Sequence, residues 1–372
     1  MIKQFRWALL LSVIALAVAL VFGGPTTLAV VLILSLLEIS LSFDNAVVNA
    51  KVLQRMHPTW QKLFLTVGVL IAVFGMRLVF PLLIVSLTAS LSPSQVIDLA
   101  LNNPKQYGAE LADARHAIFS FGGTFLFMIF LDFIFGGDRD VRWLRRTEAL
   151  LQRFGRVDAL SVIVALASLL GIAAAVGSTE RSTVLVAGGL GLLIYLLVSG
   201  LDGLFEESEE AREQAQEGVP VVPGAGAFTG AAFKAGLFAF LYLEVLDASF
   251  SFDGVIGAFA VSDEVLVIAL GLGVGAFWIR SLTLYLVRAG TLAEYPFLEH
   301  GAHYAIGALA VVSLSEVLGA AVPEVVTGLL GVGFIALALY SSIKRRDEDG
   351  DGDETQTLDE AEAAITLPAG RR

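Results

Sequence analysis

Residues 38–45 read EISLSFDN, and residues 247–254 read DASFSFDG. Both stretches set out an acid, two serines, a phenylalanine, a second acid and a small residue in one order. The offset is a constant 209 residues, from Glu38 to Asp247 and from Asn45 to Gly254. On either side the chain is almost wholly apolar, so the carboxylates lie inside runs of about 20 residues, long enough to cross a ~30 Å hydrocarbon core. Ten such runs can be marked, at 7–24, 26–50, 63–87, 116–136, 158–177, 183–201, 229–260, 264–288, 302–320 and 324–343. The whole 372-residue chain is 56% hydrophobic and 16% charged, with a mean hydropathy of +0.78. A soluble domain carries about 45–50% apolar and about 25% charged residues. The sequence therefore predicts an all-α integral membrane protein of about ten transmembrane helices.

Lys and Arg in the short connections set the expected orientation. Lys3 and Arg6 precede the first run; Lys51, Arg55 and Lys62 flank the second connection. Arg139, Arg142, Arg145, Arg146, Arg153 and Arg156 crowd the fourth, and Lys344, Arg345 and Arg346 follow the tenth run. With ten spans these clusters share one side, which makes both termini cytoplasmic in a bacterial inner membrane. The first run is expected to be retained, because Gly23, Gly24 and Pro25 turn the chain into the second. Residues 88–115 read as an extramembrane loop. The expected organisation is a first membrane half at 1–157, bridging spans at 158–201, an acidic cytoplasmic loop at 202–228, a second half at 229–343 and an acidic tail at 344–372. The net charge of −12 is concentrated in that loop and tail and reads as solvated surface. The partners expected are the bilayer and a small ion or solute. Nothing points to nucleic acid, and a homo-oligomer is compatible with the chain.

Spans 2 and 7 are an odd number of crossings apart, so the repeated motif is expected to run in opposite directions. The chain then reads as two inverted five-helix repeats, the plan of many secondary transporters, with a site near the midplane. Glu38, Asp44, Glu244, Asp247 and Asp253 are the acids of that site. A carboxylate at the bilayer centre costs about 2.5–3.5 kcal/mol on insertion scales, which implies that they face the protein interior. Ser40, Ser42, Ser249 and Ser251 offer hydroxyls, Asn45 an amide oxygen, and Gly254 a place where the helix could unwind and free carbonyls. There is no cysteine and there are only four histidines. An oxygen-only set of this kind suits a hard divalent cation such as Mg²⁺, Ca²⁺ or Mn²⁺. Arg77 and Arg280 are expected to pair with repeat acids and hold them ionised. Asp132 and Glu316 are further intramembrane acids at mirrored depths, read as supporting groups.

At these residues the chain resembles the TerC family of membrane proteins, within a lysine-exporter-like superfamily. The resemblance rests on Phe43-Asp44-Asn45, Phe252-Asp253-Gly254, the acids before them and Glu299-His300-Gly301-Ala302-His303. It points to a longer bacterial subfamily of unassigned function. It implies manganese efflux or tellurium resistance, with Asp44, Asn45 and Asp253 as the leading metal ligands and Glu38 and Asp247 beside them. The replacement of Asn45 by Gly254 departs from a symmetric ligand set.

The leading expectation is therefore a Mn²⁺ exporter working by alternating access, with the ion as cargo and no prosthetic group. A small-solute exporter, amino-acid-like in substrate and coupled to H⁺ or Na⁺, would use the same carboxylates. A non-transporting part of a metal-resistance complex is a third reading. An intramembrane aspartyl protease is disfavoured, since no span contains a G-x-G-D sequence, so no enzymatic activity is expected.

Overall fold

A computed structural model of the chain describes residues 2–136, 141–155, 157, 159–216, 230–262, 264–289 and 294–365. Among them every regular element is helical and there is no strand. Hydrocarbon offers no water to a backbone N–H or C=O, and a helix satisfies its own. In chain order the helices are α1 (Ile2–Leu41), α2 (Phe43–Arg55), α3 (Pro58–Leu63), α4 (Phe80–Thr88), α5 (Pro93–Asn102), α6 (Pro104–Asp113), α7 (Arg115–Phe135), α8 (Arg145–Phe154), α9 (Leu160–Ala175), α10 (Arg181–Gln216), α11 (Gly230–Val261), α12 (Val265–Ala289), α13 (Leu298–Val317) and α14 (Glu324–Ile365). Between α3 and α4 the chain continues as wider π-helical turns, Phe64–Gly68 and Ile71–Val79.

Six described segments are long and apolar enough to cross a membrane: Phe5–Leu41, Pro58–Thr88, Arg115–Phe135, Arg181–Gly200, Val265–Arg288 and Val325–Arg346. Leu160–Ala175 is apolar but shorter. The molecule is a multi-pass membrane protein. Its outer faces bear this out, because Phe22 is 85% exposed and Leu87 80%, side chains that only lipid would accommodate in such numbers. The two remaining long runs, at 229–260 and 302–320, also fold as helix, in α11 and α13, and both carry acids.

α1 is two helices joined across a kink at Gly24, whose φ of 74° is the left-handed region that glycine occupies cheaply, and Pro25 follows it. The second half of α1 packs along α12, and α7 packs between α13 and α10. The largest core cluster joins α2, α7, α12 and α13 through Val47, Phe125, Met128, Ile279, Ile306 and their neighbours. Residues 88–115, expected as a loop, instead form α5 and α6. The signals were local: Ser92 and Gln95 make a reciprocal capping box, and Pro93 and Pro104 sit at helix starts. Val96, Ala100, Tyr107 and Leu111 then bury one face of the pair against α4, α7 and α11. α10 runs on to Gln216. The rest of the expected acidic loop from 217, the side chains of the acidic run and those of the tail lie outside the described residues.

The Gly24 kink gives a direct stability prediction. A Cβ there would meet nothing within 4 Å, so Gly24→Ala tests backbone conformation alone. It should cost about 1–2 kcal/mol, seen as a lowered thermal unfolding midpoint in detergent; an unchanged midpoint would mean that the kink is not required.

Candidate functional site

The helix that carries the first motif breaks inside it. α1 ends at Leu41 and α2 begins at Phe43, with Ser42 between them at φ −102° and ψ 13°. The Ser42 N–H still donates to the Glu38 carbonyl at 2.9 Å, and its hydroxyl donates to Glu38 Oε1 at 2.8 Å. α11, in contrast, runs unbroken through Gly254, so the unwinding expected there does not occur. Gly254 serves volume instead: a Cβ at that position would stand 2.9 Å from Glu38 Oε2. Gly275 on α12 plays the same part, since its Cβ would lie 2.5 Å from Glu38 Cβ and Cγ. Glu38 therefore rests in a cradle of two glycines, with 1% of its surface exposed.

Each central acid is held by an arginine. Arg77 Nη2 donates to Glu38 Oε1, and its Nη1 donates to the Ala72 carbonyl at 2.6 Å. The π-helical turns from Ile71 to Val79 carry this arginine. Arg280 Nη2 donates to Asp247 Oδ2 at 3.3 Å, lies 3.8 Å from Glu244 Oε1, and its guanidinium stacks 3.7 Å over the Phe64 ring. The two pairs are tied across the motifs. Asn45 Nδ2 donates to Asp247 Oδ1 at 2.7 Å, while Gly254 lies against Glu38. The first motif thus touches the acid of the second, and the second touches the acid of the first. The sequence mismatch at this position follows from side-chain length. Opposite the shorter Asp247 stands an asparagine, and opposite the longer Glu38 stands no side chain at all.

Asp44 is buried in the first turn of α2, 3% exposed. Glu244 is 7% exposed and packs against Gly68 in the π-helical segment. The side chains of Ser249, Ser251 and Asp253 lie outside the described residues. Three sequence-predicted residues do not join this group. Ser40 Oγ sits against Gly328 on α14. Asp132 accepts a 2.5 Å hydrogen bond from the Tyr195 hydroxyl. Glu316 accepts from Val322 N–H at 2.7 Å and so caps the turn after α13. Among the described residues no three His, Asp or Glu side chains gather in a way that could hold a metal ion.

A second polar cluster escaped the sequence reading. Glu148 on α8 is 3% exposed and accepts from the N–H groups of Trp143 and Leu144, at 3.2 and 3.0 Å. The Tyr304 hydroxyl donates to it at 3.0 Å, and His300 Nε2 lies 3.5 Å away. It ties the basic connection to α13. The available signal was Glu148, the one acid among the five arginines between Arg142 and Arg156.

A family described as "Protein of unknown function (DUF475)" matches residues 43–349. The chain belongs to this family. No curated protein and no solved structure matches the chain. The part matched as DUF475 includes Arg77, Asp247, Arg280, Glu148 and both Phe-Asp steps, and begins five residues after Glu38.

The arginine pairs carry a testable energetic consequence. Both partners of Arg77–Glu38 are buried, with side-chain exposures of 3% and 1%. Arg77→Met alone leaves a buried carboxylate without its counter-ion and should cost about 3–5 kcal/mol, whereas Arg77→Met with Glu38→Met should recover most of it. Unfolding of the wild type, both single variants and the double variant in detergent measures this double-mutant cycle; additive losses would show that the pair is not coupled.

Proposed function

We propose that this chain is a membrane transporter built as two inverted five-helix repeats, TerC-like in kind, that exports a hard divalent cation, Mn²⁺ foremost. The observation that carries this reading is the crossed contact at the centre. A pseudo-two-fold axis makes residue i of one half touch j of the other, and j's counterpart touch i's. Asn45 on Asp247 and Gly254 against Glu38 follow that pattern, and so do the two arginine pairs. Secondary transporters place substrate sites at such repeat interfaces, often where a helix is interrupted, as at Ser42.

The charge balance supports a cation. Glu38, Asp44, Glu244 and Asp247 are four buried acids, and Arg77 and Arg280 are two buried bases. The donors nearby are carboxylate, amide and hydroxyl oxygens, with no sulfur or imidazole, which suits Mn²⁺ over softer metals. In this reading the cation comes from the cytoplasm between the halves and binds at Asp44 and Asp253. Rocking of the repeats then exposes it to the other side.

One observation favours a second reading. The central acids already have arginine partners, and no three-acid metal cluster occurs among the described residues. A zwitterionic, amino-acid-like solute could exchange with those pairs, its carboxylate on an arginine and its ammonium on an acid, with H⁺ or Na⁺ as coupling ion.

Flux into proteoliposomes separates the two. Mn²⁺ transport by the purified protein should fall at least about tenfold in Asp44→Asn and in Asp253→Asn, variants that leave both arginine pairs in place. Unchanged Mn²⁺ flux in both, with saturable amino-acid flux, would replace the metal reading by the solute reading.

A further inference from the structure

The crossed contacts fix a register between the two motif helices. Position 38 stands against 254, and position 45 against 247. Each step forward on α1–α2 is a step back on α11, so they pass antiparallel without slippage. Continuing four residues beyond Asn45 brings Asn49 opposite Leu243, next to Glu244. Asn49 shares the face of Asn45, one turn on, and Glu244 shares the face of Asp247, one turn back. The register therefore places the two residues at one level beyond the central pairs, with their polar atoms not hydrogen-bonded to each other.

Both are buried and both have polar atoms to spare. Asn49 is 0% exposed, and neither its Nδ2 nor its Oδ1 has a hydrogen-bond partner. Glu244 is 7% exposed, and neither carboxylate oxygen has one. The charged groups beside it among the described residues are Arg280, at 3.8 Å, and Asp247, and the arginine lies closer to Asp247, at 3.3 Å. Leaving a buried polar group unsatisfied costs about 1–3 kcal/mol, so two such groups at one level call for a ligand.

The opposite side of the centre is different. Four residues the other way, Leu34 comes level with Ala258; both are 0% exposed and belong to one apolar cluster. Ser35 there is satisfied, donating to Val31 O at 2.7 Å and to Gly271 O at 3.0 Å. The repeat counterparts of Glu244 and Asn49 are this Ser35 and Ala258. Unsatisfied oxygen and amide groups thus occupy one side of the central pairs, and packed hydrocarbon the other.

We propose that Asn49 and Glu244 form a second cation station, separate from the Glu38–Asp247 centre, on the side of the C-terminal end of α2. Its ligand is a hard, oxygen-coordinated cation held by the Asn49 amide oxygen and the Glu244 carboxylate. The inference rests on the transporter reading and adds a staging site to it. That cation is either the divalent substrate on its way to the centre or a monovalent coupling ion. One carboxylate beside a shared arginine binds weakly, as a site that must also release its ion should.

The test uses the purified full-length protein in detergent with two probes, MnCl₂ by calorimetric titration and NaCl by the rise in thermal unfolding midpoint. Asn49→Leu and Glu244→Gln should each weaken binding of one probe about tenfold, and Asn49→Asp should restore or tighten it. A loss confined to Mn²⁺ makes the station part of the substrate path; a loss confined to Na⁺ makes it the coupling site. Asn49→Leu should also leave the ion-free unfolding midpoint level or higher, since it removes an unsatisfied amide; a merely structural asparagine would lower it. Unaltered affinity for both ions, while Asp44→Asn abolishes Mn²⁺ binding, overturns the station and leaves the transporter reading intact. Failure of the wild type to bind either ion overturns both.

Discussion

A carboxylate among apolar helices has to be compensated where it stands. In this protein the compensation is a guanidinium: Arg77 for Glu38, and Arg280 for Asp247. Those two pairs dictate much of what surrounds them. The chain between α3 and α4 opens into π-helical turns, and the wider turn brings Arg77 to Glu38 while its second nitrogen caps the Ala72 carbonyl. α12 carries Gly275 where a side chain would collide with Glu38, and α11 carries Gly254 for the same reason. The Ser42 hydroxyl bonds the Glu38 carboxylate at the point where the helix breaks. Such pairs are poor sources of net stability compared with hydrocarbon of the same volume. Retaining two of them suits a functional centre better than a scaffold.

Much of this was legible in the residues, and the exceptions are instructive. Apolar runs located the helices, and Gly23-Gly24-Pro25 located the kink. The arginines were matched to the repeat acids by charge type alone, because a buried guanidinium has few other partners. The helix interruption was expected at Gly254 and occurs at Ser42. Gly254 is there for space, and the need for space comes from Glu38, more than 200 positions away in sequence. Local propensity holds no trace of such a contact. Residues 88–115 differ for the opposite reason: the capping box at Ser92 and Gln95 is a local helix signal, but the polarity of the stretch is equally that of a loop. Asp132 and Glu316 were grouped with the site by depth alone, whereas their partners, Tyr195 and the Val322 N–H, lie elsewhere.

The asymmetry between the motifs gains a physical meaning. Asn45 and Gly254 occupy equivalent places, and each fits the acid that it faces: amide against the short Asp247, empty space against the long Glu38. The same asymmetry extends outward. Asn49 and Glu244 bring polar groups to one side of the centre, and Leu34 and Ala258 close the other with hydrocarbon. In the transporter proposed above, this asymmetry makes the two approaches to the centre chemically different.

Membership of the DUF475 family places the chain among relatives of unknown function, so the decisive evidence has to come from cells. Total metal measured by elemental analysis, in a strain lacking this gene and challenged with Mn²⁺, tests cation export most directly. Selective accumulation of Mn in the deletion strain, reversed by the wild-type gene, is the expected result. Equal Mn content in the deletion and parent strains would contradict it.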